Sequence, residues 1–256
     1  MGFINKYSSK SFLGRLSKNI IENDNFISWE VRGKRKVIII KYDSNIIDEL
    51  YKLMPFTFLY FDKDIVDILK NDNRFNVRAS KGEAIETDIS KWNGVSGKEW
   101  KDIRYTLNKA KEYNIEARDT FDILEVEEFV KKWRYSYGTK YFRDHSSQNT
   151  FFFRSGNHNE CISRFYYIDG KLVSYAVLSP PDLEGNAPYI IRKTLYQEYY
   201  GLTEYVDCDI LNIGKDAGIK IINWGGGSNK LLKYKAKYPH SKTVYHYEGN
   251  CEVKNG

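Results

Sequence analysis

The stretch Ile162–Ser179, ISRFYYIDGKLVSYAVLS, reads as two β-strands joined at Asp169-Gly170. Both arms are rich in β-branched and aromatic residues, and Gly170 accepts the positive φ that a tight hairpin turn demands. Working outward, Pro180 and Pro181 stop the second arm because proline cannot donate to a ladder, and PYIIRKT (188–194) supplies a third strand. EYVDCDILNIGKDAG (204–218) reads as a helix closed by Gly218. A strand IKIINW (219–224), the glycines Gly225 to Gly227, a helix NKLLKYKAKY (229–238) and a last strand TVYHY (243–247) complete the order.

Upstream, GKEWKDIRYTLNKAKEYN (97–114) puts Trp100, Ile103, Leu107, Ala110 and Asn114 on one face of a helix, with Arg104 and Lys111 at its margin. Such a margin suits either a basic side chain reaching into a cleft or an aliphatic stem lying over the core edge. FDILEVEEFVKKWRYSY (121–137) is a second helix, with Ile123, Val126, Phe129, Val130 and Trp133 inward. Nearer the N-terminus, WEVRGKRKVIIIKY (29–42) resembles a hairpin turning near Gly33, FTFLYF (56–61) a buried strand and DKDIVDILKND (62–72) a short helix. The expected class is mixed α/β (α+β), with mostly antiparallel sheets flanked by helices.

The chain has 256 residues, 41% hydrophobic and 29% charged, enough for one large domain or two small ones. Its formal net charge of +6 permits an anionic partner without demanding one. No apolar run approaches the roughly 20 residues of a membrane-spanning helix, and Met1–Leu16 is polar and charged, so the expectation is a cytoplasmic protein. Cys161, Cys208 and Cys251 are odd in number and widely spaced, which argues against disulfides and against a structural zinc, and no metal is expected. His145, His158, His240 and His246 form no recognisable catalytic dyad and read as structural or surface residues.

The three glycines invite a phosphate-binding reading, which fails on spacing. A P-loop needs a second glycine followed by Lys and then Ser or Thr, whereas Lys230 lies between Asn229 and Leu231. The glycines serve better as a sharp turn, with Ser228 or Asn229 capping the helix that follows. On that helix Lys230, Lys233 and Lys237 gather on an outer flank, while Lys235 falls with Leu231, Tyr234 and Tyr238 on the apolar face. A buried ammonium is costly unless it meets a partner or a ligand, so Lys235 is a functional candidate.

Four segments, GEAIETDISKWNGVSGKEWKDIRYTLNKAKEYNI, FYYIDGKLVSYAVLSPP, PYIIRKT and INWGGGSNKLLKYKAKYP, resemble in order and spacing the C-terminal domain of the lysyl-phosphatidylglycerol synthases and the related Fem-type aminoacyltransferases. That resemblance implies a tandem of two GNAT-like acyltransferase halves, a degenerate half over 1–120 and a half over 121–256 carrying the active site. It implies transfer of an aminoacyl group from aminoacyl-tRNA to an acceptor, with tRNA as a partner and no separate cofactor. It would put Lys235 and Arg192 at the reacting ester, Arg104, Lys111, Tyr189, Trp224, Gly225, Asn229 and Tyr234 around the substrate, and Lys230, Lys233 and Lys237 on the tRNA backbone. An ammonium beside the ester would stabilise the developing oxyanion.

This chain departs from the pattern in two ways. Tyr189 stands where lysine-transferring members carry an acidic residue, and the membrane-embedded portion of the lipid-modifying synthases is missing, leaving the acceptor open among lipid, peptide and small molecule, with peripheral membrane contact allowed. The competing enzyme would be an acetyl-CoA-dependent N-acetyltransferase, but QEYYGLT (197–203) has one glycine where a pyrophosphate loop needs more. A non-catalytic RNA-binding module is the third reading.

Overall fold

The computed structural model describes residues 20–254 except 32, 41, 44, 137–149, 151, 157, 183 and 239. Met1–Leu16, His145 and Pro239 therefore lie outside the described residues. The chain forms two compact units, one of residues 1–86 with 223–256 and one of residues 87–222. The expected halves 1–120 and 121–256 do not coincide with them, because the last strand returns to pair with a strand of the N-terminal segment.

In the first unit, β1 (Ile20–Glu22), β2 (Phe26–Val31) and β3 (Lys34–Ile39) form an antiparallel meander. β4 (Phe56–Phe61) pairs parallel with β3 and antiparallel with β11 (Ser241–Val253), and β5 (Phe75–Asp88) lies on the far side of β11. α1 (Ile46–Leu53) and α2 (Lys63–Asn71) turn Ile46, Leu50, Ile65, Val66 and Leu69 inward against Phe58, Phe61 and Val37. β1, α1 and the 14-residue β5 were not anticipated, although Phe75, Val77 and Ala79 alternate with exposed Asn76, Arg78 and Ser80 at the period of a strand.

The second unit orders its strands β10 (Ile221–Asn223), β9 (Asn186–Thr194), β8 (Lys171–Leu178), β7 (Ile162–Ile168) and β6 (Glu116–Arg118), β10 ending at the unit boundary. The β7–β8 hairpin turns through Asp169 and Gly170, at φ 50° and 71°, as its Asp-Gly pair requires. α3 (Lys101–Lys111), α4 (Ile123–Ser136) and α5 (Leu202–Asp216) follow the anticipated helices. Trp100, Ile103, Leu107 and Ala110 are buried as their spacing predicts, but Asn114 is exposed at φ 50°, past the helix end.

The strands carry a helix on each face. On one side the Phe129 ring of α4 meets Tyr175 at 5.4 Å, and the Lys193 ammonium lies 3.7 Å from the Trp133 ring centre. On the other, Tyr205 of α5 meets Tyr166 at 6.2 Å. The register aligns Arg164, Ala176 and Arg192 in one cross-strand row, so both arginines project to the α5 side with a small residue between them.

Candidate active site

In the first unit the glycine stretch runs along β5. The Trp224 N–H donates to the Ile85 carbonyl at 2.8 Å, and the Ile85 N–H returns to the Gly225 carbonyl at 3.4 Å. Gly226 runs so close to β5 that a Cβ there would sit 2.7 Å from the Glu83 carbonyl oxygen. The Gly225 N–H is taken by the Asn223 side-chain oxygen at 2.7 Å, so it is not presented to a phosphate. Asn223 in turn donates its amide to Glu86 at 3.3 Å, and Glu86 is fully buried with Lys242 at 3.6 Å.

α6 (Asn229–Lys235) is shorter than the ten residues expected, and Ser228 holds the N-cap position without a side-chain capping bond. Lys235 is buried, 8% exposed, and its ammonium donates to the carbonyls of Gly226 at 2.6 Å and Gly225 at 3.1 Å. The glycines therefore turn two carbonyl oxygens toward a cation, the opposite polarity to a phosphate cradle. Tyr238 is buried and stacks on Trp224, ring centres 5.2 Å apart and 6° from parallel, while Tyr234 meets Tyr238 edge-on at 6.4 Å. Leu231, expected inside, is instead 36% exposed. Asn229, Lys230 and Lys233 are exposed, and Lys237 lies 3.7 Å over the Tyr234 ring.

The second unit holds the remaining candidates. Arg192 of β9 is ion-paired with Asp207 of α5, whose side chain is fully buried, and the Tyr189 hydroxyl donates to the same carboxylate at 3.3 Å. Burial, then the Asp207 charge, push the Tyr189 phenol well above its ordinary range. On β7, Arg164 lies between Asp209 at 3.3 Å and Asp119, and the Tyr166 hydroxyl donates to Asp209 at 3.0 Å. Burial first and Asp209 second likewise raise the Tyr166 phenol. Sequence reading missed Asp207 and Glu86: nothing in the periodicity of a helix or strand says that one particular carboxylate is fully enclosed.

Arg104 donates to the backbone carbonyls of Val95 and Gly97, bracing the loop before α3, and Lys111 is exposed at the helix end. Gly201, at φ 82°, lies so near α3 that a Cβ would fall 2.4 Å from the Thr106 carbonyl oxygen, which accounts for the single glycine of QEYYGLT by packing. The candidates thus fall into two groups: Lys235, Trp224, Gly225, Asn229, Tyr234, Lys230, Lys233 and Lys237 in one unit, and Arg192, Tyr189, Arg104 and Lys111 in the other.

No protein-family model matches the chain, and no curated protein sequence matches it. Its fold is similar to solved structures. One is the C-terminal domain of a putative lysylphosphatidylglycerol synthetase from Agrobacterium fabrum, with TM-score 0.68 and 14% identity over 96% of this chain and 87% of that one. L-PGS from Bacillus licheniformis aligns at TM-score 0.68 and 17% identity, covering 97% of this chain and 88% of that one. FemX aligns at TM-score 0.58 and 10% identity, covering 90% and 84%. The resemblance seen in the four sequence segments thus holds in the tertiary structure: this chain has the mixed α/β, mostly antiparallel, GNAT-like fold of those structures.

Proposed function

We propose that the protein is an acyltransferase that moves an aminoacyl group from aminoacyl-tRNA to an acceptor nucleophile. The observation that carries this reading is Lys235, a buried ammonium fixed by two backbone carbonyls beside the Trp224–Tyr238 stack. A cation already held in place needs no reorganisation when an oxyanion develops, and in a site closed to water it is worth more than in solution. The acceptor attacks the ester carbonyl, a bond to the acceptor forms, the ester C–O bond breaks, and the released tRNA hydroxyl takes up the proton that the acceptor loses. Arg192 is charge-balanced by Asp207 and would serve as a fixed hydrogen-bond donor. Lys230 and Lys233 suit the phosphate backbone. The acetyl-CoA alternative is weakened by Gly201, whose presence its contact with α3 explains without a pyrophosphate.

The test incubates the purified chain with bulk tRNA carrying labelled amino acids and follows acceptor-dependent loss of label. Lys235→Ala should lower turnover on the order of a hundredfold with little change in KM, while Lys233→Ala should leave turnover intact. Equal losses in the two variants would sink the role given to Lys235. Indifference to charged tRNA, with acetyl-CoA raising the melting temperature, would replace the whole reading with the acetyltransferase.

A further inference from the structure

The second unit contains a pocket of about 620 Å³, open to solvent, where the loop after β6 meets the start of β7 and the later turns of α5. That volume falls in the range of about 300–1,000 Å³ typical of small-molecule sites. Its apolar lining comes from Phe121, Cys161, Ile162 and Ile213. The Phe121 ring is itself fixed by stacking on Phe165, centres 4.7 Å apart at 23°.

The polar lining has one sign. Asp119 binds Arg164 through Oδ1, and among the described residues its Oδ2, the Thr120 hydroxyl and the Asn159 side-chain amide take part in no hydrogen bond. Asp119 is the carboxylate of the lining; its partner Arg164 is shared with Asp209, outside the lining, and Asp119 is the most exposed of the three at 76% against 24% and 25%. His158, packed against Phe121, Phe152 and Phe153, is held below the ordinary histidine range by burial, so it adds no positive charge at neutral pH.

An ammonium offers three donors and no acceptor. Asp119 Oδ2, Thr120 Oγ1 and Asn159 Oδ1 are three acceptors on the wall of one cavity. We propose that this cavity binds a primary amine carried on a compact apolar body, the ammonium at Asp119, Thr120 and Asn159 and the body against Phe121, Ile162 and Ile213. The site goes beyond the acyl-transfer reading and does not depend on it.

Cys161 lines the cavity, whereas Cys208 and Cys251 are buried, so alkylation of the folded chain by iodoacetamide, resolved by peptide mass spectrometry, reports on the cavity. 2-Phenylethylamine should slow alkylation of Cys161 several-fold, while 2-phenylethanol and 3-phenylpropionate, of similar size but neutral and anionic, should not. Asp119→Asn, at an exposed position, should abolish the protection, and Thr120→Val should weaken it. Isothermal titration of 2-phenylethylamine into wild type and Asp119→Asn gives a readout independent of the thiol. Equal protection by all three probes, protection that survives Asp119→Asn, or no binding heat in the wild type would overturn the assignment.

Discussion

Lys235 and Asp207 carry their meaning through what surrounds them. A lysine whose ammonium meets two carbonyls is both a brace for the glycine turn and a preset charge, and the two roles separate experimentally because only the second requires turnover to fall further than binding. His158 permits a prediction at the same scale. Burial holds its folded-state pKa below the 6.5 of an unfolded chain, so the unfolded state binds more protons there. Stability from this residue is complete above about pH 6.5 and is lost as pH falls through the folded pKa. Urea unfolding between pH 7.5 and 5 should show stability decreasing with acid, and His158→Gln should flatten that slope. An unchanged slope would show that the ring titrates normally. Asp72, Asp88 and Glu116, lowered by hydrogen bonds to Arg74, Ser90 and Arg118 respectively, act in a more acidic window.

At the scale of elements, the hairpin and the amphipathic helices were readable because their signals are local: a turn pair, or a 3.6-residue stripe. β5 was not, since Lys81, Gly82 and Glu83 interrupt its alternation in mid-strand and its partner β11 comes from the far end of the chain. The junction before α5 is a sharper case. QEYYGLT looks like a failed cofactor loop, yet its glycine is required by α3, 95 positions earlier in the chain for the contacting Thr106. Gly201→Ala should cost about 1–3 kcal/mol from the left-handed backbone alone, with the clash on Thr106 in addition. Thermal unfolding of the full chain measures this, and a melting temperature equal to wild type would refute the close approach.

For the molecule as a whole, the net charge of +6 becomes informative only once its lysines are placed. Lys230 and Lys233 are exposed on the outer flank of α6, whereas Lys237 is drawn onto the Tyr234 ring. If tRNA binds along this flank, each lysine that meets a phosphate contributes about 0.7–0.9 to the slope of log affinity against log salt. Replacing Lys230 and Lys233 together by Gln should therefore reduce the slope by roughly 1.4–1.8, and Lys237→Gln alone should change it less. Filter binding at several salt concentrations decides this, and an unchanged slope in the double variant would move the RNA elsewhere.

Sequence alone was enough for the order of α3, α4, β7, β8, β9, α5 and β10, the turn at Asp169-Gly170, the inward faces of α3 and α4, and the inward position of Lys235, because each rests on spacing within one segment; the three-residue β6 between α3 and α4 was not read. Only the tertiary structure decided the discontinuous first unit, in which β11 returns to β4, and the identity of the groups that enclose each charge. Asp207 closes on Arg192, Asn223 joins Glu86 to Gly225, and Lys235 meets the carbonyls of Gly225 and Gly226. A period in the sequence can say that a side chain turns inward, but the partner waiting there is set by chain segments that are distant in sequence and brought together by packing.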